Sequence, residues 1–354
     1  MRGLRAFIII ALVIGGLFYY MQNNLQTENA FSNVEDNVLP KELSIDIKAL
    51  PVKKTVISGL NGELYNWIGK DTSFLVEELG EPVRKDLSSY NYVWWIYTDR
   101  AEKVIQFGVE DNQVVTIYAT GSELDTEPIE IGQSYETVNE LLDFQEEISF
   151  NKGLQSYRFL LTAEDLSMRP AVQISDDVFI QCYFDTFTEK LSSIRLVSAD
   201  VLLLQRPYEI FYRGDLPETP ILSEQEWDTI QVGMEQQIYD ITNIIRHRFN
   251  EPSLDWDQEV AEVAFMHSKD MEENNYFSHY TLDGEGLKER LTTDEIYYLA
   301  AGENIAAQYT DGPAAVEGWL NSEGHREALL KGEYTHLGVG VYRYYYTQNF
   351  LQKP

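Results

Sequence analysis

The segment Leu337-Gly338-Val339-Gly340-Val341-Tyr342 alternates glycine with larger, mostly branched side chains. A period of two is typical of a β-strand, and glycine inside a strand indicates that another backbone approaches closely. We therefore expect this segment to be a central strand against which a second element packs. The last third of the chain is interpreted outward from this strand.

Three helices are predicted before this strand. Residues 234–249 place their apolar side chains on one helical face. A second helix covers 257–274, with Asp255 or Asp257 as its N-cap. A third helix follows Asp311, which is a suitable N-cap residue. The last third of the chain is thus expected to combine helices with strands.

All five histidines of the chain lie after residue 246: His247, His267, His279, His325 and His336. Histidine is the commonest protein metal ligand and the side chain best suited to acid–base chemistry near neutral pH. His267 is four residues from both Val263 and Met271 on the second predicted helix, so its side chain points inward. An inward histidine is either a hydrogen-bonded core residue or part of a functional site.

A carboxylate interrupts the otherwise apolar segment Ala301-Gly302-Glu303-Asn304-Ile305-Ala306. A carboxylate in such surroundings is either paired with a partner or has a shifted pKa. Glu303 is therefore the first acidic candidate for a functional site.

Seven short motifs follow one another in the last hundred residues: Leu254-x-Trp256, His267-Ser268-x-Asp270-Met271, Tyr276-Phe277-Ser278-His279, Gly302-Glu303-Asn304-Ile305-Ala306, Trp319-x-x-Ser322-x-Gly324-His325-Arg326, Tyr334-Thr335-x-x-Gly338-Val339-Gly340-Val341 and Tyr346-Thr347-Gln348-Asn349-Phe350. In this order they resemble the bacterial branch of the CAP superfamily, which is named for cysteine-rich secretory, antigen 5 and pathogenesis-related proteins. The resemblance implies that residues 229–354 form a three-layer α-β-α sandwich. It also implies a central cavity, lined by two His and two Glu, that can hold a divalent cation.

The resemblance carries over four candidate metal or catalytic residues, with two reserves: His267, Glu303, Glu323 and His325, then His279 and His336. The second pair departs from the eukaryotic pattern, because Ser322 stands where those relatives have Glu. Imidazole and carboxylate ligands together suit Zn²⁺ or a similar cation. The alternative is a hydrogen-bonded His–Glu network that braces the sandwich without metal.

An internal repeat precedes this domain. Ile68-Gly69 and Ile131-Gly132 each open a segment with helical spacing. Asp71 and Ser134 are the expected N-caps, and Gly80 is expected to end the first helix. Each copy is predicted to be one helix with three antiparallel strands, so that neighbouring copies extend each other's sheets.

The two copies cover about 60–125 and 126–200 within a module at 57–213. This module resembles the N-terminal module that accompanies CAP domains in Bacillus-type membrane-anchored proteins. Its aromatic residues Trp94, Trp95 and Tyr97 form either a binding face or the core of the sheet. A linker with two prolines, at 214–228, is predicted to join the module to the CAP-like domain.

The N-terminus carries an export signal, because Arg2 and Arg5 precede the apolar run from Ala6 to Met21. We favour an uncleaved, single-pass signal anchor at 1–21, since no small-residue cleavage site follows. The basic flank then places the rest of the chain outside the cell membrane, beginning with a polar stalk at 22–56. Cleavage would instead give a secreted protein.

The chain has a formal charge of −31 and a single cysteine, Cys182. Such acidity argues against a nucleic-acid partner and against docking on anionic lipid. One cysteine allows no intrachain disulfide, and its apolar neighbours indicate a buried thiol rather than a nucleophile.

Two functions from different classes are consistent with these residues. The first is a binding or scaffolding module at the cell envelope, with a lipid, peptide or other envelope component as its partner. The second is a metal-dependent hydrolase of the peptidase type. We favour binding, because neither Ser268 nor Ser278 lies in a nucleophile elbow.

Overall fold

The computed structural model describes residues 60–354. The predicted signal anchor at 1–21 and the predicted stalk at 22–56 lie outside the described residues. Within residues 60–354, no helix is both long enough and apolar enough to span a bilayer. This part of the chain mixes helices with mainly antiparallel sheets, which confirms the predicted α+β class.

The N-terminal module begins with a 3-10 helix at Glu63–Asn66 and continues with short helices and strands. Its helices are α1 (Thr72–Leu79), α2 (Tyr135–Leu142), α3 (Ala163–Met168) and α4 (Ala199–Gln205). Its strands are β1 (Arg84–Leu87), β2 (Val93–Thr98), β3 (Lys103–Glu110), β4 (Gln113–Gly121), β5 (Glu147–Lys152), β6 (Gln155–Leu160), β7 (Ala171–Gln173), β8 (Val178–Asp185), β9 (Lys190–Ser198) and β10 (Glu209–Arg213).

The predicted starts of both repeated helices are confirmed. Asp71 caps α1 by accepting a hydrogen bond from the backbone N–H of Ser73, and Ser134 caps α2 in the same way from Thr137. Gly80 ends α1 with a φ of 76°, a left-handed conformation that glycine adopts without strain. Short polar signals thus set the bounds of these helices.

The segment before each of these helices is tied to a hairpin by equivalent backbone bonds. The N–H of Gly69 donates to the carbonyl of Val114 at 2.7 Å, and the N–H of Gly132 donates to that of Leu191 at 2.8 Å. Both glycines have positive φ, at 83° and 91°. The same local connection therefore recurs in the two halves of the module.

Seven strands form one antiparallel sheet in the order β1-β2-β3-β4-β9-β8-β7. Strand β4 pairs with β9, so this sheet contains strands from both halves of the module. The first half contributes four strands, β1 to β4, where three were predicted. Strand β6 is an exception, because it pairs with β5 and β10 in a separate three-stranded sheet. Phe150 of β5 lies 4.9 Å from Phe179 of β8, measured between ring centroids. The small sheet therefore packs against the face of the large one instead of extending its edge.

The aromatic residues of β2, predicted to form either a binding face or the core of the sheet, differ in burial. Trp94 is buried in the core. Trp95 is half-buried, with Lys85 Nζ 3.6 Å from its ring centroid, and Tyr97 packs edge-on against Phe107 at 5.6 Å. Cys182 is fully buried, and burial raises the pKa of its thiol. The prediction of a packed, unreactive thiol agrees with this position.

The C-terminal domain contains the remaining elements. Its helices are α5 (Glu224–Arg248), α6 (Gln258–Glu273), α7 (Leu287–Thr293), α8 (Gly312–Leu320) and α9 (Glu323–Leu329). Its strands are β11 (Asp255–Trp256), β12 (Ala300–Ala307), β13 (His336–Tyr342) and β14 (Tyr345–Gln352). The predicted N-caps of α6 and α8 are confirmed, since the Asp257 and Asp311 side chains each accept a backbone N–H.

Helix α5 begins ten residues earlier than the apolar spacing from Met234 predicts. Its start lies within the stretch predicted as a linker, because Ser223 and Glu226 form a reciprocal capping box there. Trp227 and Ile230 are buried and continue the helical spacing upstream of Met234, so the apolar pattern itself extends to this earlier start. The helix thus includes the last five residues of the predicted linker, 224–228.

The C-terminal domain has three layers around a four-stranded sheet of order β11-β13-β14-β12. Gly338 and Gly340 face α6 so closely that a Cβ on Gly340 would lie 1.8 Å from the backbone nitrogen of Phe265. On the other face, Leu337 and Val339 share a core with α5. The prediction from the alternating segment is therefore confirmed, with α6 as the element that packs against it.

The module and the C-terminal domain share one hydrophobic core and are joined by buried ion pairs. Arg195 of β9 meets Asp311 at 2.8 Å, and Arg326 of α9 meets Asp185 of β8 at 2.8 Å. Opposite charges this close satisfy each other where water is excluded. We call these contacts, together with those of Glu317, the interdomain seam.

Glu317 of α8 is the third member of the seam. Its Oε1 accepts hydrogen bonds from Tyr118, Ser192 and Ser193 of the module. Burial raises the pKa of this carboxyl, although these hydrogen bonds favour its ionised form. The two parts of the chain are thus locked together by polar as well as apolar contacts.

Candidate functional site

Glu303 lies at the centre of the candidate site, on β12 at the edge of the sheet. Its Oε1 is 2.9 Å from Nδ1 of His279, and its Oε2 accepts a hydrogen bond from Nη2 of Arg290 at 2.6 Å. The side chain is only 4% exposed. Burial alone would raise its pKa, but the hydrogen bond from His279 and the charge of Arg290 lower it overall. Glu303 is therefore a carboxylate with both oxygens engaged.

His267 projects from α6 toward this carboxylate and is buried, as its helical position predicts. Its Nε2 lies 3.0 Å from the carbonyl oxygen of Ser278. A carbonyl only accepts, so Nε2 carries the proton and Nδ1 keeps its lone pair. Nδ1 has no hydrogen-bond partner within residues 60–354. Burial lowers the pKa of His267 to about 4, so its ring is neutral at pH 7.

His325 reaches the site from α9. Its Nδ1 is 2.9 Å from the hydroxyl of Ser322, and its carbonyl accepts a hydrogen bond from the amide of Asn304 at 3.0 Å. Burial lowers its pKa to about 4 as well. Its ring centroid lies 6.4 Å from that of His279. His279, a reserve in the sequence interpretation, thus stands between Glu303 and His325 and is 41% exposed.

The other two candidates do not join this group. Glu323 is exposed, and within the described chain no hydrogen bond or ion pair connects it to these histidines. His336 opens β13 and lies 2.7 Å from the hydroxyl of Thr335 through Nδ1. The structure therefore gathers His267, Glu303 and His325 around His279, and leaves Glu323 and His336 apart.

Arg290 is the residue that the sequence interpretation missed. It belongs to the short helix α7, its side chain is 9% exposed, and its Nε and Nη1 have no hydrogen-bond partner within residues 60–354. A single arginine in a seven-residue helix matches no motif. The available signal was Glu303 itself, because a carboxylate in an apolar segment requires a cationic or hydrogen-bonding partner.

The residues of this site do not fit a bound cation in the observed arrangement. Both oxygens of Glu303 are already engaged, and Arg290 supplies the positive charge that a metal ion would bring. Across residues 60–354, no group of three or more His, Cys, Asp or Glu side chains is placed to hold a metal ion. The predicted zinc site is therefore not supported, and the alternative of a bracing His–Glu network agrees better with these contacts.

The two serines next to the histidines have structural partners. Ser268 Oγ donates to the carbonyl of Gly340 at 2.9 Å and lies 2.8 Å from the hydroxyl of Thr347. Ser278 Oγ accepts the backbone N–H of Tyr280. Ser268 therefore ties α6 to the sheet. Within residues 60–354, its hydroxyl has no hydrogen bond to a side chain that could act as a general base.

Comparison with known proteins matches both parts of the chain. Residues 68–208 match the family described as CAP-associated N-terminal, and residues 239–353 match the cysteine-rich secretory protein family. An uncharacterized membrane protein, YlbC of Bacillus subtilis, is 42% identical over 99% of both chains.

Solved structures support the same assignment. An extracellular protein containing a SCP domain from Bacillus anthracis has a TM-score of 0.78 and 41% identity, covering 88% of this chain and all of that one. A cysteine-rich secretory protein from Staphylococcus aureus shares the fold, with a TM-score of 0.72 and 24% identity over 87% of this chain and all of that one. The chain therefore belongs to the cysteine-rich secretory protein (CAP) family, in the form that carries a CAP-associated N-terminal module.

Proposed function

We propose that this protein is tethered to the cell membrane by residues 1–21 and holds its module and CAP domain outside. The basic flank at Arg2 and Arg5 and the apolar run that follows support this orientation. The printed names of two relatives, a membrane protein and an extracellular protein, are consistent with it. If the anchor is cleaved, the same folded part is secreted.

The N-terminal module is, in this proposal, a duplicated scaffold. The equivalent bonds made by Gly69 and Gly132 support a common origin for its two halves. The interdomain seam supports a scaffolding role. Separating the module from the CAP domain would leave buried charges without their partners, and the free-energy cost of this keeps the two parts together. The module would hold the CAP domain at a fixed orientation beyond the membrane.

The CAP domain is proposed to bind an envelope component, a lipid or peptide ligand, rather than to hydrolyse one. The observation that carries this choice is the double engagement of Glu303 by His279 and Arg290. A general base needs a carboxylate free to take a proton, and the pKa of Glu303 is lowered. The half-exposed ring of His279 is the polar group that a ligand would meet first.

Surface proteolysis of intact cells tests the topology. Full-length protein with a C-terminal tag should lose the tag to external protease once the wall is opened, whereas a cytoplasmic control protein should stay intact. In situ crosslinking should then capture an envelope component through the wild-type protein, and His279→Ala should reduce the yield. A protected tag would refute the topology, and an unchanged yield would refute the role of His279.

A zinc titration separates binding from the metal-hydrolase alternative. We expect no stoichiometric Zn²⁺ binding by calorimetry at neutral pH, because Arg290 already neutralises Glu303. Stoichiometric binding that is lost in His267→Ala, together with peptide hydrolysis lost in the same variant, would favour the hydrolase instead.

A further inference from the structure

A groove of about 240 Å³ lies on the CAP domain where α5 begins, α6 ends and the β13–β14 turn projects. Its lining combines aromatic, amide and charged side chains: Trp227, Glu272, Asn275, Gln308, Arg343, Tyr344 and Tyr345. None of these residues belongs to the site around Glu303. The volume is below the roughly 300–1,000 Å³ of drug-sized sites, so the groove suits a small ligand or one unit of a polymer.

Aromatic rings form one wall of this groove. Trp227 and Tyr344 meet edge to face, with centroids 5.4 Å apart and an interplanar angle of 83°. Tyr344 and Tyr345 are half-buried. A partly exposed tyrosine offers an electron-rich ring face beside a hydroxyl group. Such a wall suits a ligand that has weakly positive C–H faces and hydroxyl edges.

Two amides stand on the rim. Asn275 and Gln308 are exposed, and within residues 60–354 no hydrogen bond engages either side-chain amide. A free carboxamide both donates and accepts, which matches the dual character of a hydroxyl group. The rim therefore presents unused hydrogen-bonding groups next to the aromatic wall.

The backbone around the groove is held in an unfavourable conformation at three non-glycine residues. Asn275, Gln308 and Arg343 have φ values of 52°, 63° and 53°. Left-handed backbone is unfavourable for most non-glycine residues, so surrounding contacts must hold it in place. The N–H of Gln308 donates to the carbonyl of Tyr344 at 2.8 Å, which fixes the loop to the hairpin. The groove is thus shaped by fixed backbone rather than by a loose loop.

The charges of the groove are already paired. Arg343 Nη2 is 2.7 Å from Glu224, and its Nε is 3.6 Å from Glu272. The guanidinium also lies 5.6 Å from the centroid of Trp227. The two carboxylates would repel an anionic ligand, and a cationic one would have to compete with Arg343 for them, whereas a neutral ligand would do neither. The groove therefore favours an uncharged ligand.

We propose that this groove binds a neutral, hydroxyl-rich sugar ring, as a unit of an envelope glycan. The ring would pack its C–H face on Tyr344 or Tyr345 and direct its hydroxyl groups to the amides of Asn275 and Gln308. This inference rests on the proposed location outside the membrane, but not on the site around Glu303.

Titration of the full-length chain in mild detergent with N-acetylchitotetraose tests the proposal by calorimetry and saturation-transfer NMR. Tyr345→Ala and Gln308→Gly should each weaken binding about tenfold, since each removes on the order of one good contact. Glycine at 308 tolerates the left-handed backbone, so the side chain with its amide is removed without added strain. Tyr297→Ala, which removes an exposed tyrosine not among the groove's lining residues, is the matched control and should bind normally.

His279→Ala separates this proposal from the proposed function, because it should leave glycan binding intact. Melting curves of each variant show whether the fold is retained. Equal affinity in wild type and Tyr345→Ala, both folded, would overturn the groove as the site. Absence of saturation transfer from the tetrasaccharide and from solubilised cell-wall glycan at millimolar concentration would overturn the ligand class.

Discussion

The interdomain seam and the site around Glu303 both bury an arginine against a carboxylate, but their surroundings differ. In the seam, Arg195 and Asp311 are 1% and 3% exposed. At the site, Arg290 and Glu303 are nearly as buried, yet the third partner, His279, is 41% exposed. The Arg195–Asp311 pair of the seam is closed to solvent, whereas the site opens to solvent through one imidazole.

This difference separates a structural use of buried charge from a functional one. Burying an ion pair contributes little net stability, but removing one partner strands the other charge. In the seam the consequence is confined to folding. Both places contain buried polar atoms without a hydrogen-bond partner within 60–354, among them Arg195 Nε and Glu317 Oε2 in the seam and His267 Nδ1 and Arg290 Nε at the site. What distinguishes the site is that its unpartnered atoms belong to a cluster with the 41% exposed ring of His279. Predictions about stability and pH can test whether this distinction holds.

The largest effect is expected in the seam, for Asp311→Ala. This change strands the buried charge of Arg195 and also removes the N-cap of α8, so the free energy of unfolding should fall by about 3–5 kcal/mol. Urea denaturation measures the loss. Glu224→Ala, which breaks a surface pair of Arg343, is the control and should change stability by less than about 1 kcal/mol. Similar losses in both variants would show that the buried pair of the seam contributes no more to stability than a surface pair does.

The next effect concerns pH and sharpens the description of the site. Burial lowers the pKa of His267 from 6.5 to about 4, so the unfolded chain takes up the proton first as pH falls. Stability from this residue is complete above pH 6.5, declines toward pH 4 and then levels off. The total loss is about 3 kcal/mol.

Urea denaturation between pH 7.5 and 4 should show this decline in the wild-type protein. His267→Gln should have a shallower dependence, since glutamine does not titrate. His247→Gln, at a surface position on α5, is the matched control and should keep the wild-type slope. An unchanged slope in His267→Gln would mean that His267 is solvated and not buried against the carboxylate.

A smaller effect is expected for Arg290→Met, which retains most of the side-chain volume. The variant removes a charged hydrogen bond to Glu303 while His279 remains, so the loss of stability should be about 1.5–3 kcal/mol. The pKa of Glu303 should rise, because burial is then opposed by fewer partners. NMR titration of the carboxyl measures this shift. A stable variant with an unshifted Glu303 would show that Arg290 is not its counter-ion.

Much of the C-terminal fold could be predicted because the signals are local. The N-caps Asp257 and Asp311 mark helix starts, and the spacing around His267 gives its inward direction. Gly338 and Gly340 predict close packing because only a residue without a side chain leaves room for α6. Each of these inferences depends on neighbours within a few positions of the chain.

The remaining features depend on contacts between distant segments. Strand β6 alternates buried and half-buried side chains along most of its length, but nothing in its own residues indicates that it joins β5 and β10. Arg290 and His279 meet Glu303 only because α7 and the preceding loop fold over the edge of β12. The family resemblance favoured Glu323 and His325 for the second pair, and the structure brings His325 but not Glu323 to the others.

The smallest effect is expected for Glu323→Gln, compared with the same change at Glu303. Glu323 is exposed and has no polar contact with the histidines of the site, so its stability should change by less than about 0.5 kcal/mol. Glu303→Gln removes the charge that Arg290 and His279 share, and should destabilise clearly in the same urea assay. Equal losses of stability in the two variants would mean that the carboxylate of Glu323 faces the site. The description of the site would then have to include Glu323 as a second acidic residue beside Glu303.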